Sequence, residues 1–405
     1  MLLESVTHRT LGGYLLAMPF DAPLDLSPFT IAIPEAHLDD LRERLARTRL
    51  PQQIPDAGWD YGTELGYLSE LVAYWRDEYD WRRAEARLNA FDQYLTEIDG
   101  ARVHFLHVRS PEPDALPLVI THGWPGSVVE FLDVLGPLSD PAAHGGDPAD
   151  AFHVVAPSIP GYAFSGPTND RGWDPLRVAR AWAQLMAGLG YDRYGAQGGD
   201  WGSMISTQIG VADPQHVAGI HLNMLVAGPP PDTDFANLGP AEQDALASFE
   251  VYDKVDSGYA KIQGTKPQTI GYALDDSPAG LLAWIVEKFR TWTDCDGDVE
   301  SSLTKDQMLD NVMLYWLTAT AHSAGRIYYE ATAGGSFSPQ ERIEVPVGMA
   351  AFPREIIRSP RAWAEARANI VHWTDMPKGG HFAAFEEPEL LVEDIRTFFR
   401  PLRVS

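Results

Sequence analysis

The stretch Gly198-Gly199-Asp200-Trp201-Gly202-Ser203 sets a carboxylate among small residues, after a short apolar run and before a helical pattern. A sharp turn from strand to helix needs small neighbours, because its central residue is strained and its side chain projects outward. Such a turn presents a nucleophile. The group presented here is the Asp200 carboxylate, where many such turns carry a serine. The same residues would also suit a glycine-rich turn in which Asp200 only caps a helix. Two other stretches favour chemistry. Thr121-His122-Gly123-Trp124-Pro125-Gly126-Ser127 follows the apolar run at 118–121. A loop there offers a backbone N–H toward the elbow, and the residue after the nucleophile offers another. Trp124 and Trp201 are therefore the expected oxyanion donors. His122 is expected to hold its loop rather than act as a base. Near the end of the chain, Gly379-Gly380-His381-Phe382 places His381 on a glycine loop before a final helix. Position and order single it out from the 12 histidines. An acid between the two should orient the imidazole. Glu355, just beyond the apolar run at 345–350, is the candidate, and Asp375 competes because it is nearer His381 in sequence.

These residues need a scaffold that brings distant segments to one edge. Residues 94–98 and 103–108 alternate like strands around Asp99-Gly100, which predicts a hairpin. Short apolar runs at 118–121 and 153–156 predict buried parallel strands. A helical pattern at 175–189 and a short run at 194–197 continue the alternation, so this part is read as an α/β sheet wound on both faces. From Gly228-Pro229-Pro230-Pro231 the rhythm breaks into a largely helical stretch, notably 278–292 and 305–321. Strand texture returns at 345–350, and a helix at 388–399 closes the chain. The economical reading is one α/β domain in two parts, 91–227 and 341–405, interrupted by a helical cap at 228–340. Residues 1–90 are read as a separate segment outside that core: an extended arm over 1–28, a strand at 29–33, and helices at 34–45, 63–77 and 81–90. Their aromatic residues, among them Trp59, Tyr74, Trp75 and Tyr79, are expected to pack on core and cap.

Composition narrows the function classes. The 405 residues are 45% hydrophobic and 22% charged, which excludes a disordered or fibrous chain. The net charge of -26 repels phosphate backbones and anionic membranes, so neither nucleic acid nor a membrane surface is an expected partner. The single cysteine, Cys295, excludes an intrachain disulfide framework and a cysteine metal site, and suits the cytoplasm. The apolar run at 280–286 is far too short to span a membrane. Residues 1–10 lack the pattern of a signal peptide.

The order nucleophile, acid, base is that of α/β-hydrolases. The motifs around His122, Asp200, the acidic loop and His381 resemble those of the epoxide hydrolases of the microsomal type. Thr265-Lys266-Pro267-Gln268-Thr269-Ile270 and residues 276–284 add to the likeness, which runs from about residue 29 to the C-terminus. The membrane-anchoring helix of the animal enzymes has no counterpart, which implies a soluble bacterial member. The resemblance implies an α/β-hydrolase core with an inserted helical cap and an N-terminal helical segment. It also implies Asp200 as nucleophile, Glu355 as acid, His381 as base, and Tyr259 and Tyr328 as the two cap tyrosines, with Tyr329 a neighbour easily confused.

The chemistry suits these groups. A carboxylate can attack a strained epoxide carbon, and two phenols can protonate the departing alkoxide. His381 would activate water to cleave the ester on Asp200, with Trp124 and Trp201 bonding the oxyanion. The expected partners are a small apolar or aromatic epoxide and water, the product is a vicinal diol, and neither metal nor organic cofactor is required. A homodimer is the candidate assembly. Rival readings are a haloalkane dehalogenase on the same fold, whose halide leaves without a proton, and a non-catalytic ligand-binding protein, which needs no intact triad. Alanine and arginine usage suggests an actinomycete, with detoxification or an antibiotic (enediyne) pathway as the setting.

Overall fold

The computed structural model describes residues 24–335 and 341–403, so most of the arm at 1–28 and the end of the cap stretch lie outside the described residues. Among the described residues nine strands form one sheet: β1 (Ser27–Phe29), β2 (Gln93–Ile98), β3 (Ala101–Val108), β4 (Leu116–Thr121), β5 (Phe152–Pro157), β6 (Tyr194–Gly198), β7 (Val217–Leu222), β8 (Ile343–Ala351) and β9 (Ala368–Asp375). Their order is β1-β2-β3-β5-β4-β6-β7-β8-β9. Pairing is antiparallel from β1 to β5 and parallel from β5 to β9. Strands β6 and β7 are buried along their whole length, as parallel strands covered on both faces must be. The chain runs from β4 outward to β5 and then returns to the other side of β4 as β6. That reversal opens a crevice at the carboxyl ends of β4 and β6, the place where open α/β sheets bind ligands.

Local chemistry explains several elements. In the β2–β3 hairpin, Asp99 and Gly100 take φ of 49° and 77°, the left-handed pair of a two-residue turn that matches strand twist. The helix Pro278–Trp292 begins at Ser277, whose side chain accepts the Gly280 N–H, and buries Leu281, Leu282, Ile285, Phe289 and Trp292. Among the described residues seven α-helices with a π-helical turn at Tyr252–Asp256 lie between β7 and β8.

Three expectations change, and two strands were not expected. The helix expected over 305–321 stops at Thr318, because Ala319 is left-handed with φ 49°. The strand expected at 29–33 is Ser27–Phe29. Strands β7 and β9 escape the pattern reading. The first is a short apolar run close behind an apolar helix, and the second is a sheet-edge strand with little alternation in burial. Finally, the N-terminal segment is not outside the core. β1 pairs with β2, and Leu38, Leu41, Leu71, Trp75, Trp81 and Leu88 belong to the same contiguous core as the sheet. Each such buried side chain stabilises by about 1.5–3 kcal/mol. Polar contacts fasten the segment to the helix Lys305–Thr318: Tyr74 donates to Asp306 at 2.7 Å and Tyr79 to Asp310 at 2.7 Å.

Candidate active site

Asp200 stands between β6 and the helix Asp200–Ala212 with φ 49°. A non-glycine residue there carries about 1–3 kcal/mol of strain, held by the packing around it. The small neighbours are required by close approach. A Cβ on Gly202 would fall 1.8 Å from the Thr121 carbonyl oxygen, and one on Gly123 would fall 2.2 Å from Asp200 Oδ1. The loop after β4 can therefore lie directly on the carboxylate, and the Trp124 N–H donates to Asp200 Oδ1 at 2.8 Å. The helix N-terminus also favours negative charge at this spot. Trp201 occupies the first turn, where amide hydrogens point outward along the helix axis.

His381 approaches from the loop after β9. Its Nε2 lies 3.2 Å from Asp200 Oδ2, and its Nδ1–H donates to Glu355 Oε1 at 2.6 Å. Glu355 and His381 are 2% and 4% exposed, so neither charge is screened by bulk water. Burial disfavours the imidazolium, but Glu355 and Asp200 outweigh it and hold His381 well above the usual histidine range. Glu355 Oε1 also accepts the Ile356 N–H at 2.6 Å, which fixes the carboxylate. Asp375, the competing acid, is exposed at the end of β9 and accepts from Trp373 Nε1. His122 is buried and pushed down to about 4 by burial. It is neutral, and it accepts the Ile159 N–H on Nε2, as a loop-holding residue should.

The cap places Tyr259 and Tyr328 over the elbow. The Tyr259 ring stacks on Trp124 at 4.8 Å, Tyr328 meets Trp201 edge-on at 4.7 Å, and the two tyrosine rings are 5.8 Å apart. Burial drives both phenols well above the ordinary tyrosine range, so both are neutral O–H donors. Tyr329, by contrast, is exposed.

Sequence reasoning missed three supports. Glu386 accepts the N–H groups of Gly380, Phe382 and Asp294, which clamps both sides of His381. Asn311 and Tyr315 of the cap bond the Pro125 and Gly126 carbonyls at 2.7 and 2.6 Å and hold the Trp124 loop. Tyr252 shares a 3.0 Å hydrogen bond with the Tyr259 hydroxyl. Only the carboxylate of Glu386, inside the His381 motif, left a sequence signal.

A mixed sheet that carries a strained aspartate on a strand-to-helix elbow, with a histidine–carboxylate pair beside it, defines an α/β-hydrolase. Residues 117–250 match the family model of the alpha/beta hydrolase fold, and residues 26–131 that of the epoxide hydrolase N terminus. A Stigmatella aurantiaca protein provisionally named an epoxide hydrolase is 50% identical, covering 94% of this chain and 86% of that protein. Epoxide hydrolase 1 of Oryctolagus cuniculus is 37% identical, covering 92% and 88%. The solved structure of Aspergillus niger epoxide hydrolase is 35% identical, covers 95% of this chain and 98% of its own, and superposes with a TM-score of 0.84. The chain belongs to the epoxide hydrolase family and is an epoxide hydrolase. Among the described residues no helix is long and apolar enough to cross a membrane.

Proposed function

We propose that this protein opens a small apolar or aromatic epoxide to a vicinal diol in two steps, through an ester on Asp200. The observation that carries the reading is the placement of the Asp200 carboxylate. It lies between the Trp124 N–H and His381 Nε2, beneath two buried neutral phenols. In the first step an Asp200 oxygen attacks an epoxide carbon, and a phenol of Tyr259 or Tyr328 protonates the opening oxygen. Ester formation removes the Asp200 charge that helps keep His381 protonated, so the imidazolium proton passes to the phenolate and the imidazole is freed to act as base. In the second step water attacks the Asp200 carbonyl, His381 takes its proton, and the Trp124 and Trp201 amides bond the oxyanion. The departing diol oxygen then takes the last proton of the Asp200 carboxyl, which leaves the Asp200 carboxylate, the His381 imidazolium and the phenol as they began. The rings of Trp124, Trp284 and Trp292 around Tyr259 and Tyr328 favour an apolar or aromatic substrate.

The cytoplasmic reading is supported by a lone buried cysteine. A homodimer would cover the exposed Phe249, Val251, Val255 and Ile262 of the cap. Nothing in the fold or the relatives favours an antibiotic pathway over detoxification. A single turnover in ¹⁸O-water with enzyme in excess should give unlabelled diol and labelled Asp200. Labelled diol with an unlabelled Asp200 peptide would make Asp200 a base for water and end the ester mechanism.

A further inference from the structure

We infer that the cavity beside Asp200 is the seat of the water that cleaves the ester, and that Glu130 holds this water. The inference rests on the two-step reading above and adds a site to it. The cavity is lined by Asp200, His381, Glu130, His122, Gln197 and Asn223, with apolar residues between them, and not by Tyr259 or Tyr328. It leaves about 20 Å³ for the centre of a water molecule. One water needs roughly 10–15 Å³ by that measure and two to four polar partners. The space therefore takes one water, in a part of the Asp200 surroundings that the two phenols do not line.

Most polar groups of the lining are already engaged. His122 Nε2 accepts from Ile159, and Gln197 Nε2 donates to Asn223 Oδ1 at 3.1 Å. His381 Nδ1 is bound to Glu355, which leaves Nε2 facing Asp200. Glu130 stands third in the short turn Val128–Phe131, which Ser127 caps, and its carboxyl takes the Ser127 N–H. That is one arm of a capping box, the Ser127 hydroxyl taking the Val129 N–H instead of that of Glu130, and on a surface turn capping alone would explain the residue. A surface cap is solvated and ionised. Glu130 is instead partly buried and lines the cavity with Asp200 and His381, whose charges both act on it. It packs so tightly on Gly126 that a Cβ there would fall 1.4 Å from Glu130 Oε1. Burial raises its carboxyl to about 8, and Asp200 adds to the rise against the pull of His381. A carboxyl raised in this way favours its protonated form, which accepts from a water while adding little negative charge beside Asp200 and Glu355.

The water then gives one hydrogen to His381 Nε2 and the other to the Glu130 carbonyl oxygen, and turns a lone pair to Asp200 Cγ. As the O–Cγ bond forms, a proton passes to His381. Collapse breaks the ester C–O bond, and the departing diol oxygen takes the proton left on the water-derived oxygen at Asp200. Asp200 is again a carboxylate and His381 an imidazolium, and the phenol was restored by the proton His381 gave up after the first step, so charge and protons balance.

Glu130→Leu fills similar volume and removes both oxygens. It should leave alkylation of Asp200 within about twofold of the parent. It should slow ester hydrolysis by about 10–100-fold, the cost of a misplaced reactant, so that intact mass shows adduct accumulating at steady state. Glu130→Gln keeps the carbonyl oxygen and should hydrolyse the ester close to the parental rate. A Leu variant that hydrolyses the ester at the parental rate, or that loses both steps alike, overturns the inference. If the Leu variant does not fold, Glu130→Met decides: slower hydrolysis with unchanged alkylation supports the site, and parental hydrolysis overturns it. Failure of the underlying mechanism is read separately, as the absence of any Asp200 adduct in His381→Gln.

Discussion

Tyr328→Phe should slow ring opening without weakening the fold, whereas Tyr259→Phe should do both. The difference comes from what each hydroxyl bonds in the resting enzyme. The Tyr328 hydroxyl is buried and makes no hydrogen bond of good geometry among the described residues, the Tyr259 phenol being its one weak neighbour, while its ring is held by Trp201 at 4.7 Å and Trp124 at 6.0 Å. Phenylalanine keeps those ring contacts. A buried polar atom left unpaired costs about 1–3 kcal/mol, so removing it returns part of that to the folded state. The Tyr259 hydroxyl shares its 3.0 Å bond with Tyr252, so Tyr259→Phe loses that bond and strands the Tyr252 hydroxyl. The loss should be about 1 kcal/mol or somewhat more. For the reaction, losing one preorganised donor should raise the ring-opening barrier by about 2.7–4 kcal/mol, or less where the other phenol compensates. Stopped-flow tryptophan fluorescence with enzyme in excess reads the first step, since Trp124, Trp201 and Trp292 surround the site. Thermal unfolding of the same variants reads stability. A Tyr328→Phe enzyme that alkylates at the parental rate, or melts several degrees lower than its parent, would refute the reasoning.

Glu355→Gln should slow ester hydrolysis by at least about a hundredfold. Because Asp375 is exposed and bonded to Trp373, adding Asp375→Asn should cost nothing further. Asp394 offers a pH test. Burial alone would raise its carboxyl, but bonds from His221, Thr374 and His372 outweigh this and lower it to about 2 from 3.8. A depressed folded-state value gives stability that is present above the unfolded value and lost as pH falls through the folded one. Denaturant titrations should therefore show about 2 kcal/mol less acid sensitivity between about pH 5 and pH 2 in Asp394→Asn. Equal acid sensitivity in parent and variant would contradict it. Deleting residues 1–90 should give insoluble protein, because it bares the apolar surface under Leu71 and Trp75 and leaves Asp306 and Asp310 without their tyrosine donors. A soluble, fully active truncation would disprove this.

Local sequence chemistry alone determined the elbow around Asp200, the His122–Trp124 loop, the glycine loop of His381, and the helices Pro278–Trp292 and Pro388–Phe399. Each is governed by neighbours a few residues away: small residues for a strained turn, a cap, or a periodic apolar face. The resemblance pointed to Tyr259 and Tyr328, but no local pattern could separate them from the other tyrosines. Contacts between distant segments were decided only by the tertiary structure. Glu355 and Asp375 are equally plausible acids in the sequence. The sheet order places the end of β8 beside the His381 loop, through the bridge from Arg354 to Gly380, and leaves Asp375 in solvent. The strand β1 joins the sheet because its partner edge on β2 lies more than sixty residues later in the chain, beyond any periodic signal. Glu130 and Glu386 look like ordinary acidic residues of short turns. Only burial beside His381 makes the first a candidate for holding water and the second a clamp, since a carboxyl's character is set by the charges and amides that enclose it.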